Sequence, residues 1–208
     1  MRKEKALIIF AKAPLEGKVK TRLTPQYSLT EARIIHQQLL EYSVASLAHI
    51  PGVDVKLHCA PDQNHNFFKY ISAQYKISLD DQVAGDLGKK MSTALFNALL
   101  DYKKVVLIGA DVPAIDVEYI QWAFKKLDNN PVVLGPAEDG GYVLVGLTKP
   151  ELNMFDNIEW GTAQVLQQTI TQLEPDIPLL LDTLWDVDRP EDVERFHVLR
   201  KKKLSGFN

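Results

Sequence analysis

Residues 104–113, KVVLIGADVP, constrain the fold more than any other stretch of the chain. Positions 105–108 form an unbroken apolar run with two adjacent valines, which predicts a strand buried on both faces of a parallel sheet. Gly109 and Ala110 strip side chain from the strand's exit, Asp111 follows, and Pro113 forbids further ladder pairing. A carboxylate is therefore offered at the carboxyl end of a buried strand, where open α/β sheets bind ligands. Asp111 is the first candidate for a metal or phosphate-handling ligand; its other reading is an N-cap for the helix that follows.

At 208 residues the chain suits one domain spanning 1–208. Lysine and arginine number 24 against 27 acids, a net charge of −3 that argues against a nucleic-acid partner. The one cysteine, Cys59, excludes an intrachain disulfide and a cysteine-rich zinc site. No apolar run approaches a bilayer span, so no membrane partner is expected. The run at 6–11 is shorter than a secretory signal core and is broken by Lys12, so it reads as the first strand of a cytoplasmic protein.

Strand 6–10 leads into a loop, 11–25, that concentrates Lys12, Lys18, Lys20 and Arg22, shaped by Pro14 and Gly17. After a buried α/β strand, such a loop suits phosphates, with arginine as a planar fork and lysines as point charges; a solvated basic loop is the equal alternative. Neither P-loop nor dinucleotide-binding glycine spacing is present. Ser28 to Glu31 is a capping box opening a helix with Ile34, Ile35, Leu39, Leu40, Val44 and Leu47 at helical spacing; His36 on it reads as a packing or surface residue. A strand at 53–59 and a short helix at 64–72 follow.

Gly85 and Gly88 punctuate QVAGDLGKKM ahead of a helix carrying Met91, Leu95 and Leu99, so they suit either a base or phosphate contact or plain turns. A helix is expected at 117–127. Strands at 132–134 and 142–145 flank Glu138-Asp139-Gly140-Gly141, a turn suited to a hairpin or to close backbone approach of a ligand, with Asp139 accepting a hydroxyl. Thr162 caps a helix through Val165, Leu166 and Ile170, preceded by Trp160 as a lid, stacking residue or loop anchor. A last strand at 177–181 leads to Asp186 and Asp188, which point the same way in extended backbone. An amphipathic helix then runs to about residue 199, and lysines 201–203 read as a solvated tail.

FAKAPLEGKVKTRL, GDLGKKM, LIGADVP, GPAEDGGYVLVGL and WGT together resemble the glycosyltransferase-like proteins formerly called domain of unknown function 2064. WDVDRPED is similar to the tail of small nucleotidyltransferases of the molybdopterin-guanine type, with Arg189 where threonine is usual. The resemblance implies the nucleotide-diphospho-sugar transferase (GT-A) fold: a three-layer α/β/α sandwich around a mostly parallel sheet.

The resulting expectation is a metal-dependent transferase that takes a nucleotide or nucleotide-sugar donor and a small acceptor, with glycosyl transfer from a nucleotide sugar as the leading reading. Lys12, Gly17, Lys20, Arg22, Gly85 and Gly88 are expected at the nucleotide, and Asp139, Gly140, Gly141 and Trp160 at the sugar or acceptor. Asp111 and Asp188 would hold Mg²⁺ or Mn²⁺, hard ions suited to carboxylates. Lys20, Arg22 and Asp111 form the catalytic set. Nucleotidyl transfer with pyrophosphate release is the alternative within enzymes, and a non-catalytic nucleotide-binding protein the alternative outside them.

Overall fold

The computed structural model describes residues 1–205. In chain order, β1 (Lys3–Lys12) is followed by a 3₁₀ turn (Thr21–Leu23), α1 (Leu29–Leu47), β2 (Asp54–Ala60), α2 (Asn66–Tyr75), β3 (Ser78–Asp81) and α3 (Leu87–Asp101). The second half runs β4 (Tyr102–Gly109), α4 (Val117–Lys126), β5 (Val132–Pro136), β6 (Tyr142–Leu147), a 3₁₀ turn (Leu152–Phe155), α5 (Val165–Leu173), β7 (Leu179–Leu180) and α6 (Pro190–Ser205). Among the described residues the strands form one sheet of seven, in the order β3-β2-β1-β4-β6-β5-β7. Only β6 runs against its neighbours β4 and β5; the other pairings are parallel.

Side-chain parity along the central strands divides the core into two layers. Leu7, Ile9, Val106 and Ile108 face α1, α2 and α4, burying Val44, Phe68 and Phe124. Ala6, Ile8, Val105 and Leu107 face the opposite way, against Met91, Leu95 and Leu99 of α3 and Leu173 of α5. Because successive strand residues point to opposite faces, a continuous apolar run is what a strand covered on both sides needs. The expected α/β/α sandwich is therefore the fold.

Helix starts follow local chemistry. Ser28 Oγ accepts the Glu31 amide at 3.2 Å while Glu31 Oε2 accepts the Ser28 amide at 2.8 Å, the reciprocal box expected from the sequence. Asp86 caps α3 through the Lys89 amide and Asp116 caps α4 through the Tyr119 amide, so Asp111 is free of the capping role open to it in the sequence. Thr162 is not the α5 cap: the helix begins at Val165 after Gln164, and Thr162 instead turns the preceding loop, donating to the Glu159 carbonyl at 2.8 Å.

Several boundaries differ from expectation. β1 continues through Lys12, β3 joins the sheet edge where no strand was expected, and the 177–181 strand shrinks to two residues with Ile177 exposed. Lys201 and Lys202 are exposed but lie within α6 rather than in a loose tail, and the Lys203 side chain falls outside what is described.

A third cluster positions the site. Val187, Val193 and Phe196 pack with Leu23 and with Ala32, Ile35 and Leu39 of α1. Burial of that face lays the tail beside the loop after β1, bringing residues some 166 positions apart into contact.

Candidate functional site

The carboxyl ends of β1 and β4 and the amino end of the antiparallel β6 open into a cavity of about 620 Å³. Its floor is apolar, formed by side chains such as Phe10, Leu107 and Val145. Its polar lining includes four cations, Lys12, Lys20, Arg22 and Lys90, and four carboxylates, Asp111, Asp139, Asp186 and Asp188. Opposite charges at comparable number hold such a set together without burying a net charge.

Asp111 leaves β4 where its backbone is held twice: the Ala110 amide donates to the Phe10 carbonyl at 3.1 Å, and Ser43 Oγ donates to the Ala110 carbonyl at 2.9 Å. The carboxylate folds back over Gly109, where a Cβ would stand 2.8 Å from Asp111 Oδ1. Lys20 Nζ donates to Asp111 Oδ2 at 2.7 Å and to the Val187 carbonyl at 2.5 Å. The Val187 amide in turn donates to the Asp111 carbonyl at 3.0 Å. Burial pushes the Asp111 carboxyl upward, but the charge and hydrogen bond of Lys20 outweigh it and hold the carboxyl below its ordinary range.

Val187 is fully buried, so its neighbours Asp186 and Asp188 both turn to the cavity, as alternation in extended chain requires. Arg22 Nη1 donates to Asp188 Oδ2 at 2.6 Å, and that hydrogen bond, reinforced by the charge of Asp188, raises the guanidinium pKa. Asp186 is different: burial first, then the charges of Asp111, Asp139 and Asp188, push it up to about 6 against the opposing pull of Lys20. Its anion is disfavoured first by burial and then by the neighbouring carboxylates.

Asp139 uses Oδ1 to accept the Gly141 amide at 2.9 Å. Gly140, at φ +90, does make a close backbone approach, but to protein: an added Cβ would lie 2.3 Å from the Ala163 carbonyl oxygen. The Leu166 amide also donates to the Gly140 carbonyl at 3.0 Å, so this turn clamps the loop that carries Trp160. Trp160 is half-buried against Phe155 and Tyr142 and lies over Gly88 at the start of α3. It both anchors its loop and presents a ring edge to the cavity.

Of the residues expected from the sequence, Lys12, Lys20, Arg22, Asp111, Asp139, Gly141, Trp160 and Asp188 line one cavity. Gly17, Gly85, Gly88 and Gly140 do not line it; they shape the backbone around it. His36, read from the sequence as a packing or surface residue, lines it too, as do Gln82 and Lys90. His36 is buried, its pKa lowered by that burial, with Nε2 at 2.8 Å from the Lys12 carbonyl. Gln82 Nε2 donates to the Ala11 and His58 carbonyls, fixing the exits of β1 and β2. Neither role had a sequence signal, because each depends on a backbone oxygen brought close only by folding. Among the described residues no three His, Cys, Asp or Glu side chains converge as a preformed metal cage.

The family described as an uncharacterized protein conserved in bacteria (DUF2064) matches residues 43–162, more than half the chain. This chain belongs to that family. The matched DUF2064 region contains Asp111, Asp139 and Trp160, and leaves the loop after β1 and the acidic tail outside it. No curated protein matches in sequence. Among solved structures, a candidate nucleotide-diphospho-sugar transferase from Desulfovibrio desulfuricans G20 superposes with a TM-score of 0.82 at 28% identity, over 97% of this chain and 96% of its own. A 4-diphosphocytidyl-2C-methyl-D-erythritol synthase from Anaerococcus prevotii DSM 20548 gives 0.65 at 12% identity, over 95% and 96%. Glucosyl-3-phosphoglycerate synthase from Mycobacterium tuberculosis, solved with Mn²⁺, UDP and glucosyl-3-phosphoglycerate, gives 0.58 at 11% identity, over 91% and 74%. At these two lower identities the likeness establishes the fold alone, which this chain shares with the Desulfovibrio protein. Among the described residues no helix is long and apolar enough to cross a membrane.

Proposed function

We propose that this DUF2064 protein is a transferase that draws on a nucleotide-activated sugar and passes the glycosyl group to a small acceptor. The observation that carries the reading is the single cavity in which cations from the loop after β1 meet acids from β4 and the tail. A diphosphate bridged between nucleoside and sugar carries two negative charges, which a divalent cation would neutralise, leaving the balanced lining balanced. A triphosphate would bring about two further negative charges to the same acids, which favours glycosyl over nucleotidyl transfer.

The residues fit a hard divalent cation. Asp111 and Asp188 offer carboxylate oxygens, and each already faces a cation, Asp111 the Lys20 ammonium and Asp188 the Arg22 guanidinium. Two carboxylates completed by substrate phosphates are the usual environment of Mg²⁺ or Mn²⁺ in such sites. Asp111 and Asp188 would hold the ion, whose charge would stabilise the diphosphate as it leaves. Lys12 and Arg22 would bind diphosphate oxygens, and the buried His36 would keep the Lys12 backbone in place. Asp139, with Oδ1 committed to its own turn, would use its remaining oxygen to accept a hydroxyl of the sugar or acceptor. Trp160 would cover the bound sugar and limit water's access to it.

Incubation with a panel of nucleotide sugars and Mn²⁺ tests this directly. Release of nucleoside diphosphate, lost in Asp111→Ala with the fold retained, is expected. Pyrophosphate released from a nucleoside triphosphate, with no turnover of nucleotide sugars, would replace this reading with nucleotidyl transfer.

A further inference from the structure

Lys20 is unusual for a residue expected to bind phosphate. Its side chain is only 7% exposed, its backbone is left-handed at φ +48, and its ammonium is committed to Asp111 Oδ2 and the Val187 carbonyl. Arg22, by contrast, leaves 61% of its side chain exposed while paired with Asp188. A divalent cation chelated by both oxygens of Asp111 would need the Oδ2 that Lys20 now holds, and one on Oδ1 alone would stand beside a positive charge if the lysine stayed. Like charges on one carboxylate repel, so the ion and the ammonium compete for it.

We infer that Lys20 is the resident counter-ion of the cation site: it satisfies Asp111 while the site holds no ion, and a divalent cation displaces it, freeing its ammonium for the donor's diphosphate. The inference rests on the metal-dependent reading above. Its consequence is that metal and lysine compete. A competitor that closes the site nine-tenths of the time weakens apparent metal affinity about tenfold, because only the open fraction binds. Lys20 is thus a donor-binding residue whose exchange links arrival of the ion to capture of the diphosphate. The 2.5 Å contact to the Val187 carbonyl adds a backbone partner that the lysine must also leave, so the tail should respond when the ion binds.

Calorimetric titration of Mn²⁺ alone into the full chain and into Lys20→Met and Lys20→Arg tests this without any turnover. Lys20→Met, which keeps the stem and lacks the charge, should bind Mn²⁺ about tenfold more tightly than wild type, whereas Lys20→Arg, which keeps a competing cation, should not. A second measurement uses the unaltered protein, so it holds even if Lys20→Met fails to fold. The Lys20 ammonium ¹⁵N resonance, sheltered by two hydrogen bonds, should shift and exchange faster with solvent as Mg²⁺ is added. Mn²⁺ binding of equal strength to wild type and Lys20→Met, or an ammonium resonance unmoved while Mg²⁺ saturates the site, would overturn the exchange and leave the metal reading standing. Binding of neither ion to any of the three proteins would overturn both.

Discussion

Replacing Asp111 with asparagine isolates the charge at the centre of the site while keeping its shape. The variant strands the Lys20 ammonium, 7% exposed, with the Val187 carbonyl and an amide oxygen in place of a carboxylate. Removing one partner of a fully buried ion pair costs about 3–5 kcal/mol. Here Asp111 keeps 37% of its side-chain surface open to the cavity and the carbonyl remains, so the cost falls to about 2 kcal/mol. For a chain of this size that is a fall in Tm of about 4–8 °C. The sign with pH follows from the lowered folded-state pKa of Asp111. Its contribution is fully present above the unfolded carboxylate value, near 4, and is lost as pH falls through the folded value. Urea denaturation of wild type and variant should therefore show the full difference at pH 7.5 and a narrowing one below about pH 4. A difference under about 0.5 kcal/mol at pH 7.5 would show that Lys20 is solvated and the pair is not the brace described.

Three further outcomes follow from other contacts. Gly140→Ala should destabilise the chain by about 3 kcal/mol or more and change tryptophan fluorescence, because the new Cβ meets the Ala163 backbone at φ +90 and must push away the Trp160 loop; an unchanged urea midpoint and emission would refute that clamp. Arg22→Ala should cost less than about 1 kcal/mol in stability, its pair with Asp188 being exposed, yet weaken pyrophosphate binding about tenfold by calorimetry. Burial lowers His58 to about 4, outweighing Asp80 at 3.6 Å, so its neutral form adds stability above pH 6.5 that is lost as pH falls toward 4; His58→Phe should flatten the Tm profile across that window, by up to about 3 kcal/mol.

Much of this could be read from residue order, because the relevant physics was local. The run at 105–108, the box from Ser28 to Glu31 and the helical spacing of Met91, Leu95 and Leu99 each specify an element through contacts within a few residues. β3 had no signal because Ser78-Leu79-Asp80-Asp81 lacks apolar alternation; only Leu79 packs against the core, and the strand exists by pairing with β2 at the sheet edge. β7 was expected over 177–181 but keeps only the two residues that pair with β5. The reversed direction of β6 was implicit in a short Asp-Gly-Gly hairpin, but its insertion between β4 and β5 was not. At the site, residue types were legible and their partners were not. Lys20 finds Asp111 91 positions away and the Val187 carbonyl 167 positions away. Those contacts depend on Val187 and Phe196 packing against α1, which no local pattern encodes.

The most direct test of the central claim, that one cavity gathers these charges to hold a diphosphate through a divalent cation, is thermal unfolding with UDP, ADP, GDP and CDP, each with and without Mn²⁺. A ligand that binds only the folded chain raises Tm by mass action, about 2.7 kcal/mol of stabilisation at a hundredfold excess over Kd. At least one nucleoside diphosphate should raise Tm with Mn²⁺ well beyond either component alone, and Asp111→Asn should abolish that gain. No shift with any of the four, or a shift as large in Asp111→Asn as in wild type, would contradict the account.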